Sequence, residues 1–134
     1  IANGGYLVAP KLVLGETLDG QTVERTADIA PKQIISGEIA SQIQSFLIHC
    51  VMVADGQNAL PQKTTAGGKT GTAQTGRFDE NGKELEQGWF AGFFPASNPR
   101  YVVVVLSEET GYGNTTAAPV FSKIADALAE KVKE

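Results

Sequence analysis

The sequence predicts an α/β protein of the α+β type, an antiparallel three-stranded meander packed with helices. Three observations carry this. Residues 66–75, 88–95 and 101–106 read as strands joined by short connections, one with Asn81-Gly82 at its tip and one holding Pro99, and short connections make successive strands antiparallel. Apolar stripes at 3.6-residue spacing mark one helix before the meander and one after it. With 134 residues, 42% hydrophobic and 19% charged, the chain has the balance of one globular unit, able to bury roughly 65–70% of its unfolded surface.

Taken in order, Ile1-Ala2-Asn3 runs into Gly4-Gly5, and paired glycines read as the stop of a helix whose body would precede Ile1. There is no initiator Met, so the chain is expected to be part of a longer protein. Pro10 punctuates the next segment, and residues 13–23, turning at Asp19-Gly20, predict a peripheral hairpin. After Pro31, a helix is expected over residues 36–54, with Ser36 as N-cap, Glu38 in the first turn and Gly56 beyond its end. Its expected buried stripe is Ile39, Ile43, Phe46, Leu47, Cys50 and Val51, with His49 beside it as a packed residue rather than a ligand.

A polar connector over 60–65 leads to a strand made almost wholly of Gly, Ala and Thr around Lys69 and Gln74. Residues 77–86 read as a charged linker. In the next strand Trp89, Ala91 and Phe93 should share one face and Phe90, Gly92 and Phe94 the other. The unbroken valine run at 101–106 fits a strand buried on both faces. The last helix, over 117–133, carries the stripe Phe121, Ile124, Ala125, Leu128 and Val132, with Pro119 in its first turn.

Composition excludes several functions. A net charge of -4 without a dense Lys/Arg cluster leaves no footprint for nucleic acid. The longest apolar stretch, 46–54, is interrupted by His49 and is far short of the ~20 residues that span a bilayer. The single Cys50 can form neither an internal disulfide nor a multi-cysteine metal site.

Lys69-Thr70-Gly71 is short enough to need testing against rivals. A phosphate-binding loop would need glycine where Lys63 stands, and a helix where Gly71 and Thr72 continue the strand. A plainer account is a glycine-rich edge strand whose lysine discourages aggregation. The wider context outweighs both: Ala66-Gly67-Gly68-Lys69-Thr70-Gly71-Thr72-Ala73-Gln74, a hairpin, Trp89-Phe90-Ala91-Gly92-Phe93-Phe94-Pro95, the valine run, then Gly113 and Ala117-Ala118-Pro119-Val120-Phe121. In that order these segments resemble the end of penicillin-binding transpeptidases, whose superfamily is marked by S-x-x-K, S-D-N and K-T-G. The resemblance covers nearly the whole chain and is strongest from Gly67 to Phe121.

The resemblance implies a partial penicillin-binding/serine β-lactamase-like fold, and residues 1–134 as the carboxyl-terminal portion of a single transpeptidase domain. It implies catalytic roles for Lys69, as positive potential beside the nucleophile, and for Thr72, whose backbone N–H would help form the oxyanion hole. The hydroxyls of Thr70 and Thr72 would hold a substrate or antibiotic carboxylate, and Gly71 would keep the wall flat. The implied partners are a peptidoglycan stem peptide, β-lactams and the amino-terminal portion of the same domain, with no cofactor or metal. The implied location is membrane-anchored and extracytoplasmic. The valine strand, mid-sheet in the family, would leave an apolar edge prone to self-association.

No serine in the sequence (36, 41, 45, 97, 107, 122) has Lys three residues on or Asn two residues on. Ser97 has Arg100 in that place, but Pro99 marks a turn and an always-charged Arg is a poor base. The chain alone is therefore expected to be inactive. Two alternatives stand beside a D,D-transpeptidase: a serine β-lactamase or D,D-carboxypeptidase, which passes the acyl group to water, and a non-catalytic β-lactam sensor or scaffolding homologue.

Overall fold

The computed structural model describes residues 1–10, 12, 13, 15–24, 30–109 and 111–131. Its centre is the three-stranded antiparallel sheet β5 (Gly67–Phe78), β6 (Glu84–Phe94) and β7 (Tyr101–Ser107), in that spatial order. The predicted meander is present. The register runs from Gly67 opposite Phe93 to Gln74 opposite Glu86, and from Gly88 opposite Ser107 to Phe94 opposite Tyr101.

Residues 77–86, expected to be a linker, mostly continue the two strands as a long arm. Its tip is closed by Asp79, whose Oδ1 accepts from the Asn81 and Lys83 amides at 2.9 Å. Gly82 takes a positive φ of 78° at the turn, as an Asn-Gly tip requires.

Two helices cover the sheet from opposite sides. α1 (Gly37–Val53) starts where Ser36 accepts from the Ile39 amide at 3.2 Å, the predicted N-cap. It lies on the face of Gly67 and Phe93, with Ile48 against Gly67. A Cβ on Gly67 would meet the Phe93 ring at 2.6 Å and the Ile48 backbone at 3.1 Å, so only glycine permits this approach.

The other face carries α2 (Gly113–Thr116) and α3 (Ala118–Lys131). Here Phe90, Phe94 and Phe121 form the core, with ring centroids 4.7 Å apart for Phe90–Phe121 and 5.8 Å for Phe94–Phe121. Edge-on aromatic packing of this kind adds to the gain from burial alone. The faces assigned to Phe90 and Phe94 against Phe93 from alternation hold. Of the expected α3 stripe, Phe121 and Ala125 are buried and Ile124 and Leu128 half-buried, while Val132 and Lys133 lie outside the described residues.

Two expectations need correcting. The stripe of α1 is covered in part: Val51 is buried and Ile43, Leu47 and Cys50 are half-buried, but Phe46 is 70% and Ile39 48% exposed, and His49 is exposed rather than packed. α1 meets the sheet through the narrow, side-chain-poor β5, so the described residues offer its flanks nothing to pack against. The valine strand is likewise buried on one face only. Val103 and Val105 pack toward the core, whereas Val102 and Val104 are 67% and 59% exposed, because α1 lies over β5 and leaves that face of β7 open.

The amino-terminal segments are peripheral, as expected. β2 (Gly15–Leu18) and β3 (Gln21–Glu24) pair only with each other around Asp19 and Gly20, both at positive φ. β1 (Tyr6–Leu7) pairs with β4 (Lys32–Gln33). Gly5, at φ 95°, accepts from the Ile34 and Ile35 amides at 2.9 and 3.3 Å.

Candidate functional site

Lys69, Thr70, Gly71 and Thr72 lie in the middle of β5, on the edge of the sheet that no other described strand covers. Alternation sets their faces. Gly68 points at the Phe90 ring and Gly67 at Phe93, so Thr70 and Thr72 share the α2–α3 face while Lys69 and Gly71 share the α1 face. The lysine does not stay there: its Nζ reaches across the free edge to the Thr70 hydroxyl at 3.2 Å. Cation and hydroxyl therefore meet at the edge itself, and Lys69 and Thr72 are exposed.

The direction of the backbone groups follows from the packing of Gly113. A Cβ built on Gly113 would sit 2.4 Å from the Gly71 carbonyl oxygen, 2.2 Å from that of Trp89 and 2.8 Å from the Trp89 amide nitrogen. The Gly71 oxygen is thus within about 5 Å of the Trp89 amide, a closeness that only a hydrogen-bonded antiparallel pair gives. Gly71 opposite Trp89 is therefore such a pair, and its neighbours Thr70–Phe90 and Thr72–Gly88 are the non-hydrogen-bonded kind. The N–H and C=O groups of Thr70 and Thr72 point outward, away from β6, toward open space along the edge.

The small residues divide into two uses. Gly67 and Gly68 are buried and admit Ile48, Phe93 and Phe90, since a Cβ on Gly68 would meet the Phe90 ring at 2.5 Å. They serve the core, not a ligand. A Cβ on Gly71 would make only an ordinary 3.4 Å contact with Trp89, so its smallness is not demanded by packing. The structure thus brings Lys69, Thr70 and Thr72 to one accessible line with outward backbone donors.

Sequence reasoning gave no role to the layer behind this line. α2 is seated on the sheet through glycines, with Gly113 against the Gly71 and Trp89 backbones, and Gly88 leaving room for the Thr116 hydroxyl and the Gly111 carbonyl. Farther along, the Arg77 guanidinium pairs with Glu109 at 2.7 Å, and the Gly111 amide donates to the Glu86 carbonyl at 3.4 Å. None of this is written in local spacing, because the partners are distant in sequence. The strand is entered through a fixed connector: Asp126 on α3 accepts from the Gln62 and Lys63 amides at 2.8 Å, and Lys63 pairs with Glu130. That ion pair's hydrogen bond raises the Lys63 ammonium above its ordinary pKa.

A cavity of 330 Å³ lies elsewhere, between the amino-terminal segment and the start of β7, lined by Tyr6, Val8, Arg100 and Tyr101 among others. It includes none of residues 69–72. Among the described residues no cluster of His, Cys, Asp and Glu could hold a metal, and no helix is long and apolar enough to cross a membrane.

An edge strand with a cation, two hydroxyls and outward N–H groups defines a surface able to take an extended peptide as an added strand and to neutralise an anionic group beside it. The comparisons give that surface its family. The penicillin binding protein transpeptidase domain matches residues 1–126, and the chain belongs to that family. It is 38% identical over 139 aligned residues to the stage V sporulation protein D of Bacillus subtilis, an alignment covering 96% of this chain and 21% of that protein. It is 31% identical to the peptidoglycan D,D-transpeptidase PbpA of Mycolicibacterium smegmatis, covering 97% of this chain and 27% of that one. Among solved structures, penicillin binding protein 3 of Mycobacterium tuberculosis superposes with a TM-score of 0.79 at 26% identity, over 97% of this chain and 32% of that chain. The chain thus spans about a quarter of the length of these curated relatives.

Proposed function

We propose that these residues are the carboxyl-terminal portion of a serine D,D-transpeptidase domain that cross-links peptidoglycan stem peptides and is acylated by β-lactams. The observation that carries the reading is the open edge of β5, where Lys69 meets the Thr70 hydroxyl and the backbone N–H of Thr72 points outward. A stem peptide lies along this edge as an added strand. A serine from outside these residues attacks its penultimate D-Ala carbonyl, the peptide bond to the terminal D-Ala breaks, and that D-Ala leaves as the protonated amine. The acyl group then passes from the serine ester to the amine of a neighbouring stem, restoring the serine hydroxyl. Fixed donors aimed at developing negative charge stabilise it without reorganising during the reaction.

In this reading the Thr72 N–H is one oxyanion donor and Lys69 supplies positive potential beside the nucleophile. The Thr70 and Thr72 hydroxyls hold the carboxylate of substrate or antibiotic, and Gly71 leaves the wall flat. The 134 residues alone are inactive, because no serine in them has the S-x-x-K context. The whole protein works outside the cytoplasm, anchored to the membrane by a segment not among these residues. The apolar edge of β7 pairs with the amino-terminal portion of the domain or, in the isolated chain, with a second copy. The peptidoglycan names of the relatives favour cross-linking over β-lactam hydrolysis or sensing.

The test is labelling of the full-length protein by a fluorescent penicillin. Wild type should label covalently, the isolated 134-residue chain should not, and Lys69→Ala should lower the acylation rate by about 10²-fold or more, the scale of losing one electrostatic contributor. Label on the isolated chain, or an undiminished rate in Lys69→Ala, would sink the assignment.

A further inference from the structure

α2 and the preceding Glu109 and Gly111 lie behind β5 without touching the open edge, and two contacts tie them to β5 and a third to its neighbour β6. At one end Gly113 is pressed onto the backbones of Gly71 and Trp89, where any side chain would stand 2.2–2.4 Å from two carbonyl oxygens. At the other end the Arg77 side chain of β5 pairs with Glu109 at 2.7 Å. Between them the Gly111 amide donates to the Glu86 carbonyl, and Gly88 faces the Thr116 hydroxyl, which itself donates to the Tyr112 carbonyl at 3.1 Å.

An edge strand is held by hydrogen bonds on one side only, so its inward or outward displacement is governed by what packs on its faces. On the α2 face, Gly113 meets β5 at the carbonyl of Gly71, the peptide unit that contains the Thr72 N–H. The distance of that N–H from a reacting carbonyl is therefore set through Gly113. A backbone shift of ~1 Å can cost about 10²-fold in rate when the group displaced must meet a transition state.

We infer that α2, with Glu109 and Gly111 before it, is a buttress for the edge strand, and that Gly113 and the Arg77–Glu109 pair are positioning residues for acyl transfer at Thr72. The inference rests on the proposed transpeptidase reading. It assigns no contact with substrate to these three residues.

The experiment uses the full-length protein in four variants: Arg77→Glu, Glu109→Arg, the double charge swap, and Gly113→Ala. Two readouts are taken: acylation by fluorescent penicillin, resolved into reversible binding and the covalent step, and amide hydrogen exchange over residues 69–75. Each single charge reversal should slow the covalent step about 3-fold, the scale of an exposed pair, and the swap should restore it. Gly113→Ala should slow the covalent step by at least ~10-fold and raise exchange over 69–75. A covalent step unchanged in the single reversals, or reduced but unrestored by the swap, overturns the inference. So does a rise in exchange spread evenly over the domain, or a loss confined to reversible binding. If Gly113→Ala does not fold, the surface charge swap decides alone. A wild type that fails to label would overturn the transpeptidase reading and the catalytic half of this inference, while exchange over 69–75 would still decide whether the buttress holds the strand.

Discussion

The sheet ends in two uncovered edges that differ in nearly every property. Over residues 67–72 the β5 edge is built of Gly, Thr and one Lys, with the N–H groups of Thr70 and Thr72 turned outward and a hairpin arm extending past it. The β7 edge is built of valine, with Val102 and Val104 exposed on one face and Val103 and Val105 on the core. Both are strands at the rim of the same three-stranded sheet, and both rest on the Phe90–Phe94–Phe121 core. The difference shows that edge position and edge role are separate. Small polar residues leave a backbone ready for a ligand that comes and goes, at little cost when it is empty. β-Branched residues gain only when covered, a gain that the exposed Val102 and Val104 do not have among the described residues.

The largest expected effect comes from removing what the two edges share. Phe90 is fully buried and touches both Phe121 and the space opened by Gly68. Phe90→Ala should cost roughly 3–5 kcal/mol, the range for truncating a buried aromatic, measured by thermal or denaturant unfolding of the full-length protein. A loss below about 1 kcal/mol would mean that the edges are supported separately and that the comparison has the wrong foundation.

A smaller effect separates the edges. Replacing Val102 and Val104 by Thr keeps β-branching and removes two exposed apolar surfaces from β7 only. Stability should stay within ~0.5 kcal/mol per site, as for exposed positions away from special features. Sedimentation of the isolated chain should shift from associated species toward monomer. A wild-type chain that is already monomeric would remove the claim that the β7 edge seeks a partner.

Much of the fold was legible because it is written in local pattern. Ser36 marked its helix start, Asn81-Gly82 its hairpin tip, and the three strands and the Phe121 stripe followed from period and turn chemistry. The valine run misled because an unbroken apolar run signals burial on both faces only when a layer covers each, and among the described residues only one face of β7 is covered. The stripe of α1 held at Val51 and in part at Ile43, Leu47 and Cys50, and failed at Ile39 and Phe46, because periodicity says which face is apolar, not how far its flanks are covered. At the candidate site, Lys69, Thr70, Gly71 and Thr72 were singled out through their neighbours in sequence. The outward turn of the Thr72 N–H was not, since it depends on the register of Gly71 with Trp89. Nor could any spacing have announced Gly113 or Arg77–Glu109, whose partners are fixed only by the fold.

The smallest expected effect concerns how the chain is held as it enters β5. Three contacts anchor the connector to α3: backbone amides of Gln62 and Lys63 on Asp126, the Ser122 hydroxyl donating to the Leu60 carbonyl at 3.0 Å, and the exposed Lys63–Glu130 ion pair. The hydrogen bond from Glu130 raises the Lys63 pKa in the folded chain above its ordinary value of 10.5. A raised folded-state pKa means that the folded state holds the proton more tightly than the unfolded one. The pair's contribution is therefore complete below the unfolded value and is lost as pH rises through the folded value. Thermal unfolding should fall slightly faster with pH above about 10 in wild type than in Glu130→Gln, where that partner charge is gone. Solvent screening keeps the difference small, and at neutral pH Glu130→Gln should leave acylation unchanged, because Asp126 still fixes the connector backbone. Equal alkaline slopes in the two proteins would show that the Lys63–Glu130 pair adds nothing to the hold that Asp126 and Ser122 already give the approach to the β5 edge.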